Sequence, residues 1–146
     1  MHKLVRFKLS TLFTLAFLLT SCTHKKVESE VITRDTLIEM FDSMTTKSSW
    51  DFKQPMLWGY FFTDASKEQL ESVAPLLQTK GYKIVDIYLS DKDDESEPDL
   101  WWLHAEVVEI HSVDTLDRRN QELYKFADSQ GIEYDGMDVG PAPKHQ

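Results

Sequence analysis

The sequence predicts an α+β domain, a four-stranded antiparallel sheet with two helices on one face and a short extra helix before it. Three observations predict it. Segments of strand character and segments of helical spacing follow one another in the order strand, helix, strand, strand, helix, strand. Both helical segments close on a glycine, Gly81 or Gly131, where a new strand begins. The chain of 146 residues is 41% hydrophobic and 12% aromatic, enough for one packed core without a metal or disulfide.

The first 21 residues read as a leader. Met1 to Lys8 is basic, and Leu9 to Leu19 is mostly apolar but shorter than the roughly 20 residues that cross a bilayer. Leu19-Thr20-Ser21-Cys22 closes it and resembles the cleavage box of bacterial lipoproteins, which makes Cys22, the only cysteine, the expected lipidation site. Two or three acyl chains on such a cysteine hold a protein stably at a membrane. Thr23 stands where an inner-membrane retention signal would carry Asp, so the resemblance implies the outer membrane, with the domain facing the periplasm. Thr23 to Ile32 is polar and reads as a tether. Thr33 is placed to N-cap a short helix carrying Leu37, Ile38, Phe41 and Met44, either packed on the domain or part of the stalk. Pro55 closes this region. The expected organisation is leader 1–21, lipidated tether with a short helix 22–55, α+β domain 56–141 and tail 142–146.

Leu57 to Thr63 is the first strand, with Trp58, Tyr60 and Phe62 on one face and Gly59 and Phe61 on the other. Thr63 or Asp64 is expected to cap the next helix, whose buried stripe is Leu70, Val73, Ala74 and Leu77, with a bend at Pro75. Tyr82 to Leu89 is the second strand. The acidic stretch Ser90 to Asp99 reads as a solvated hairpin loop: Asp91-x-Asp93-x-Glu95 has Ser96 and Trp102 where a calcium loop needs Gly and Glu. Leu100 to Ile110 is the third strand, with Trp101, Leu103, Ala105 and Val107 on one face and Trp102, His104, Glu106 and Val108 on the other. Ser112 caps a helix bearing Leu116, Leu123, Tyr124 and Ala127, and Ile132 to Val139 is the last strand. This order is the split βαβ, ferredoxin-like plan. Its second sheet face is expected to be open or covered by the N-terminal helix.

Charge narrows the partners. The net charge is −9; without Lys3, Arg6 and Lys8 of the leader, 13 bases stand against 25 acids, or −12. Such a surface repels phosphate backbones and anionic headgroups, so no nucleic-acid partner is expected and membrane contact falls to the lipid.

From Trp58 to Pro141 the chain resembles the regulator of ribonuclease E activity B family. The matching pieces are Gly59-Tyr60-Phe61-Phe62, Lys80-Gly81-Tyr82, Leu100-Trp101-Trp102-Leu103, a second helix reaching Ala127, and Tyr134-Asp135-Gly136, after which family members often carry Trp and this chain Met137. The resemblance implies a non-catalytic protein that binds a protein partner; founding members are acidic cytosolic proteins that restrain ribonuclease E.

There is no Gly-rich phosphate loop, nucleophile elbow or cysteine nucleophile, and no cofactor or small-molecule substrate is expected. Trp58, Tyr60, Phe62 and Trp102, joined by Tyr88, are expected to gather on one sheet face, either buried under helices or open as a protein-binding surface. His104 shares the strand face of Trp102. Tyr134, Asp135 and Gly136 are binding candidates at the end of the domain, and their residue types also describe a kinked last strand. The alternative is an envelope cation-binding or hydrolytic protein using His104, Glu106 and the acidic loop; it lacks a third ligand.

Overall fold

The computed structural model describes residues 31–143. The leader and Cys22 lie outside the described residues. The chain runs α1 (Arg34–Lys47), β1 (Met56–Asp64), α2 (Lys67–Thr79), β2 (Lys83–Leu89), β3 (Trp101–Glu109), α3 (Val113–Gln130) and β4 (Glu133–Pro141). The four strands form one antiparallel sheet in the order β2-β3-β1-β4, the ferredoxin-like arrangement. No helix among the described residues is long and apolar enough to cross a membrane.

The core lies between the sheet and the helices. On β1, Trp58, Tyr60 and Phe62 alternate inward and are fully buried with Leu103 and Ala105 of β3. They meet the stripe Leu70, Val73, Ala74 and Leu77 of α2 and Leu116, Leu123 and Ala127 of α3. The Phe62 ring packs edge-on to Phe126 of α3 at 6.1 Å, and Trp58 lies 6.3 Å from Phe41 of α1. Removing one such large side chain from water contributes about 1.5–3 kcal/mol, so β1 holds the body together from its centre.

The helix ends follow local chemistry. Thr33 caps α1 by accepting the Thr36 N–H, and Ser112 caps α3 in a reciprocal box with Thr115. The cap of α2 is Ser66 rather than Thr63 or Asp64. Those two residues stay in β1, paired with Trp102 and Trp101, and the Asp64 carboxylate accepts the Ser66 N–H instead. Gly81 (φ +94°) and Gly131 (φ +69°) take the left-handed conformation that ends each helix. The helix α2 continues through Pro75, which stands on its exposed side, where water can reach the carbonyl the proline leaves unbonded.

Helix α1 belongs to the packed body. Leu37 is fully buried in the common core, the Ile32 N–H donates to the Tyr124 hydroxyl at 2.8 Å, and Phe41 sits edge-on to Phe52 at 5.6 Å. The helix extends past its apolar stripe to Lys47, with the Thr45 and Thr46 hydroxyls bonding back to the Phe41 and Asp42 carbonyls. Because α1 packs beside α3, on the side of Trp58, all three helices share one face of the sheet. Among the described residues no helix lies over the other face.

Candidate protein-binding face

Strand register decides what stands on the uncovered face. In an antiparallel ladder, directly paired residues point to the same side. Trp102 pairs with Thr63 of β1 and Tyr88 of β2, and His104 pairs with Phe61 and Asp86. Glu106 pairs with Gly59, which pairs on its other side with Asp138 of β4. This face therefore presents Tyr88, Trp102, Phe61 and His104, with Asp86, Glu106 and Asp138 among and beside them.

The expected gathering of Trp58, Tyr60, Phe62 and Trp102 on one face does not occur. The first three are sealed under the helices, while Trp102 and Tyr88 stand together on the opposite side. Each strand alternates as its sequence indicates, but the pairing sets Trp102 against Thr63, one residue out of step with Phe62.

The rings form a continuous ladder. Tyr88 and Trp102 lie nearly parallel at 6.4 Å between centroids, Trp102 meets Phe61 edge-on at 6.2 Å, and Phe61 stacks on His104 at 4.5 Å with 17° between planes. Burial lifts the Tyr88 phenol above its ordinary range, and the carboxylates Asp86, Asp135 and Asp138 push it the same way. Gly59 lies directly beneath two side-chain ends. A Cβ on Gly59 would stand 2.3 Å from Asp138 Oδ1 and 2.9 Å from His104 Nε2. Glycine thus lets an acid and an imidazole close over the backbone of β1.

His104 Nε2 lies 3.6 Å from Glu106 Oε1, and that nitrogen is shielded from solvent and makes no hydrogen bond among the described residues. Among the described residues no group of three or more His, Cys, Asp and Glu side chains is placed to hold a metal ion. In the loop after β2, Lys92 pairs with Asp99, and Asp94 accepts the Ser96 N–H at 2.8 Å. That bond holds the Asp94 carboxyl below its usual range.

Tyr134, Asp135 and Gly136 divide between core and edge. Tyr134 is buried beside Phe62 and Tyr124, with ring centroids at 5.3 and 4.9 Å, and its hydroxyl donates to Asn120 Oδ1 at 2.8 Å. Burial pushes its phenol far above the ordinary range. Phe61 pairs with Gly136 but Phe62 with Tyr134, so Asp135 is the extra residue of a β-bulge, and Gly136 has φ +152°. The kinked last strand is this bulge.

Two polar groups had no place in the sequence reading of the site. Asn120 is fully buried at helical spacing between Leu116 and Leu123; a polar residue inside an apolar stripe was its signal. Glu109 ends the inward parity of β3, where a charge is out of pattern. It accepts two bonds from the Arg119 guanidinium at 2.6 and 3.1 Å and lies 3.1 Å from His111 Nε2. Arg119 also donates to the Tyr82 hydroxyl at 2.9 Å, and Tyr60 donates to Glu109 at 3.3 Å. Burial alone would raise the Glu109 carboxyl, but the bond to His111 and the charge of Arg119 outweigh it and hold it low. Desolvation, and then the Glu109 charge, push the Tyr60 phenol well above its ordinary value. This cluster closes one end of the core.

The arrangement defines a class: a ferredoxin-like α+β domain with its helices on one side and an acidic, aromatic sheet face on the other. The family described as Regulator of ribonuclease activity B matches residues 34–139, from the first residue of α1 to β4, and the chain belongs to that family. No curated protein matches the chain.

Proposed function

We propose that the protein is a non-catalytic, protein-binding regulator of the ribonuclease-inhibitor type, tethered to the bacterial cell envelope through lipid on Cys22. The observation that carries the regulator reading is family membership over nearly the whole described body, α1 included, while the tether is proposed from the Leu19-Thr20-Ser21-Cys22 box. The geometry agrees with it. An uncovered sheet face bearing rings and carboxylates suits a macromolecular surface better than a small substrate, which needs a concave site. His104 and Glu106 supply two adjacent groups, short of the three protein ligands a catalytic zinc site uses.

Two measurements test the two halves of this reading. Purified chain is added to ribonuclease E cleaving a labelled RNA; slower cleavage with no turnover by the chain alone is the expected result, and unchanged cleavage removes the ribonuclease as target. Separately, Cys22→Ala should abolish acyl labelling and release the chain from the membrane fraction. A mutant that stays with membranes removes the lipid tether from the proposal. With the leader cleaved, the tether places the domain outside the cytoplasm, so the partner in the cell is a protein of the envelope; an uncleaved leader keeps the domain on the ribonuclease side.

A further inference from the structure

We propose that the ladder Tyr88–Trp102–Phe61–His104, with its bordering carboxylates Asp86, Glu106 and Asp138, docks an extended, arginine-bearing segment of the partner protein. The inference rests on the protein-binding reading and adds the chemistry of what is bound.

The rings and the acids select together. Tyr88 is 38% exposed, and Trp102, Phe61 and His104 are partly so, on a face that none of the three helices covers. Ring faces of this kind attract cations and planar groups. Rings alone would equally suit unpaired bases, as on other sheets of this plan. The carboxylates decide against RNA: Glu106 and Asp138 flank Gly59 across three strands, and Asp86 lies beside His104. Lys83, paired with Glu106 at the β2 edge, is the one base that the β2–β3 register places in this row. A phosphate backbone would meet like charge at each step.

A guanidinium satisfies both features at once. It is planar, stacks on aromatic faces, sheds water more readily than an ammonium and binds carboxylates through two parallel N–H donors. Lysine offers a compact, strongly hydrated charge and makes no stacked contact. An extended segment with arginine at alternate positions would turn those side chains to one side, matching rows of the sheet.

The test uses the full chain and three fluorescently labelled peptides in which serine alternates with arginine, lysine or glutamate. The arginine peptide is expected to bind, the lysine peptide more weakly and the glutamate peptide not at all. Trp102→Ala should weaken the arginine peptide roughly tenfold through loss of the stacked cation contact. The near-isosteric pair Glu106→Gln with Asp138→Asn, which removes charge and little volume, should weaken it by about as much. Lack of binding, equal binding of the arginine and lysine peptides, or binding indifferent to both sets of substitutions would overturn the proposal. The same variants in the ribonuclease E assay separate this failure from that of the broader reading. If wild type and both variants restrain cleavage equally, regulation stands and this face is not where it happens. If wild type binds the arginine peptide yet leaves cleavage unchanged, the face stands and the ribonuclease target falls.

Discussion

Tyr134 belongs to one of the pieces that carry the family resemblance, and its role can be measured through Asn120. The Asn120 side-chain carbonyl is fully buried and accepts the Tyr134 O–H at 2.8 Å. Tyr134→Phe keeps the ring among Phe62 and Tyr124 and removes only the donor. A buried acceptor left without its donor costs about 1–3 kcal/mol, more than the net value of a made bond, because the group was desolvated on folding and recovers nothing. For a body of this size that is a fall in Tm of about 3–6 °C per kcal/mol. In an Asn120→Ala background there is no carbonyl left to orphan, so Tyr134→Phe should then cost less than in the wild type. Urea unfolding of the wild type, both single mutants and the double mutant yields the coupling directly, expected at about 1 kcal/mol or more. Two additive single mutants would refute the reasoning and leave the Tyr134 hydroxyl without the structural role assigned to it. Unchanged ribonuclease regulation by Tyr134→Phe, at a temperature where it remains folded, is the matching functional expectation.

Acid should act on the cluster at the end of the core. The folded Glu109 carboxyl lies below its unfolded value, so its contribution is complete above the ordinary carboxylate range and is lost as pH falls through the lowered folded value. Arg119→Met should raise that value, shift the loss to higher pH and cost about 2 kcal/mol at neutral pH, read from urea unfolding at a series of pH values; an unchanged acid limb would contradict the assignment. Gly59→Ala places a Cβ against Asp138 and His104 and should cost about 1–2 kcal/mol in thermal unfolding. Asp138→Ala should recover part of that loss; no recovery would mean the crowding lies elsewhere.

What was legible in the sequence was local. Helix stripes such as Leu70, Val73, Ala74 and Leu77, the caps at Thr33 and Ser112, and the ends at Gly81 and Gly131 depend on residues within a few positions of each other, so periodicity and turn chemistry reveal them. The element order then leaves few topologies, and the ferredoxin-like one is the one formed. The cap of α2 was misplaced by two or three residues because Thr63 and Asp64 are good caps locally, yet pairing with β3 keeps them in the strand. The proposed leader and the lipidation of Cys22 rest on the sequence alone and lie outside the described residues.

The face could not be read in the same way. Alternation assigns Trp58 and Phe61 to opposite sides of their own strand, but says nothing of which side of β3 joins which side of β1. That is settled by a register between residues some forty positions apart, driven by burial of Trp58, Tyr60 and Phe62 beneath the helices. Once they are inside, Trp102 must be outside, stacked on Tyr88 and edge-on to Phe61. The Asn120–Tyr134 and Glu109–Arg119 pairs have the same origin: each polar group looks like an error in its own element until packing brings its partner within reach. Composition and local pattern thus determined the architecture and an acidic, aromatic character. Only the tertiary pairing decided which rings are core and which stand on the uncovered face, because hydrophobic burial acts on the whole sheet at once.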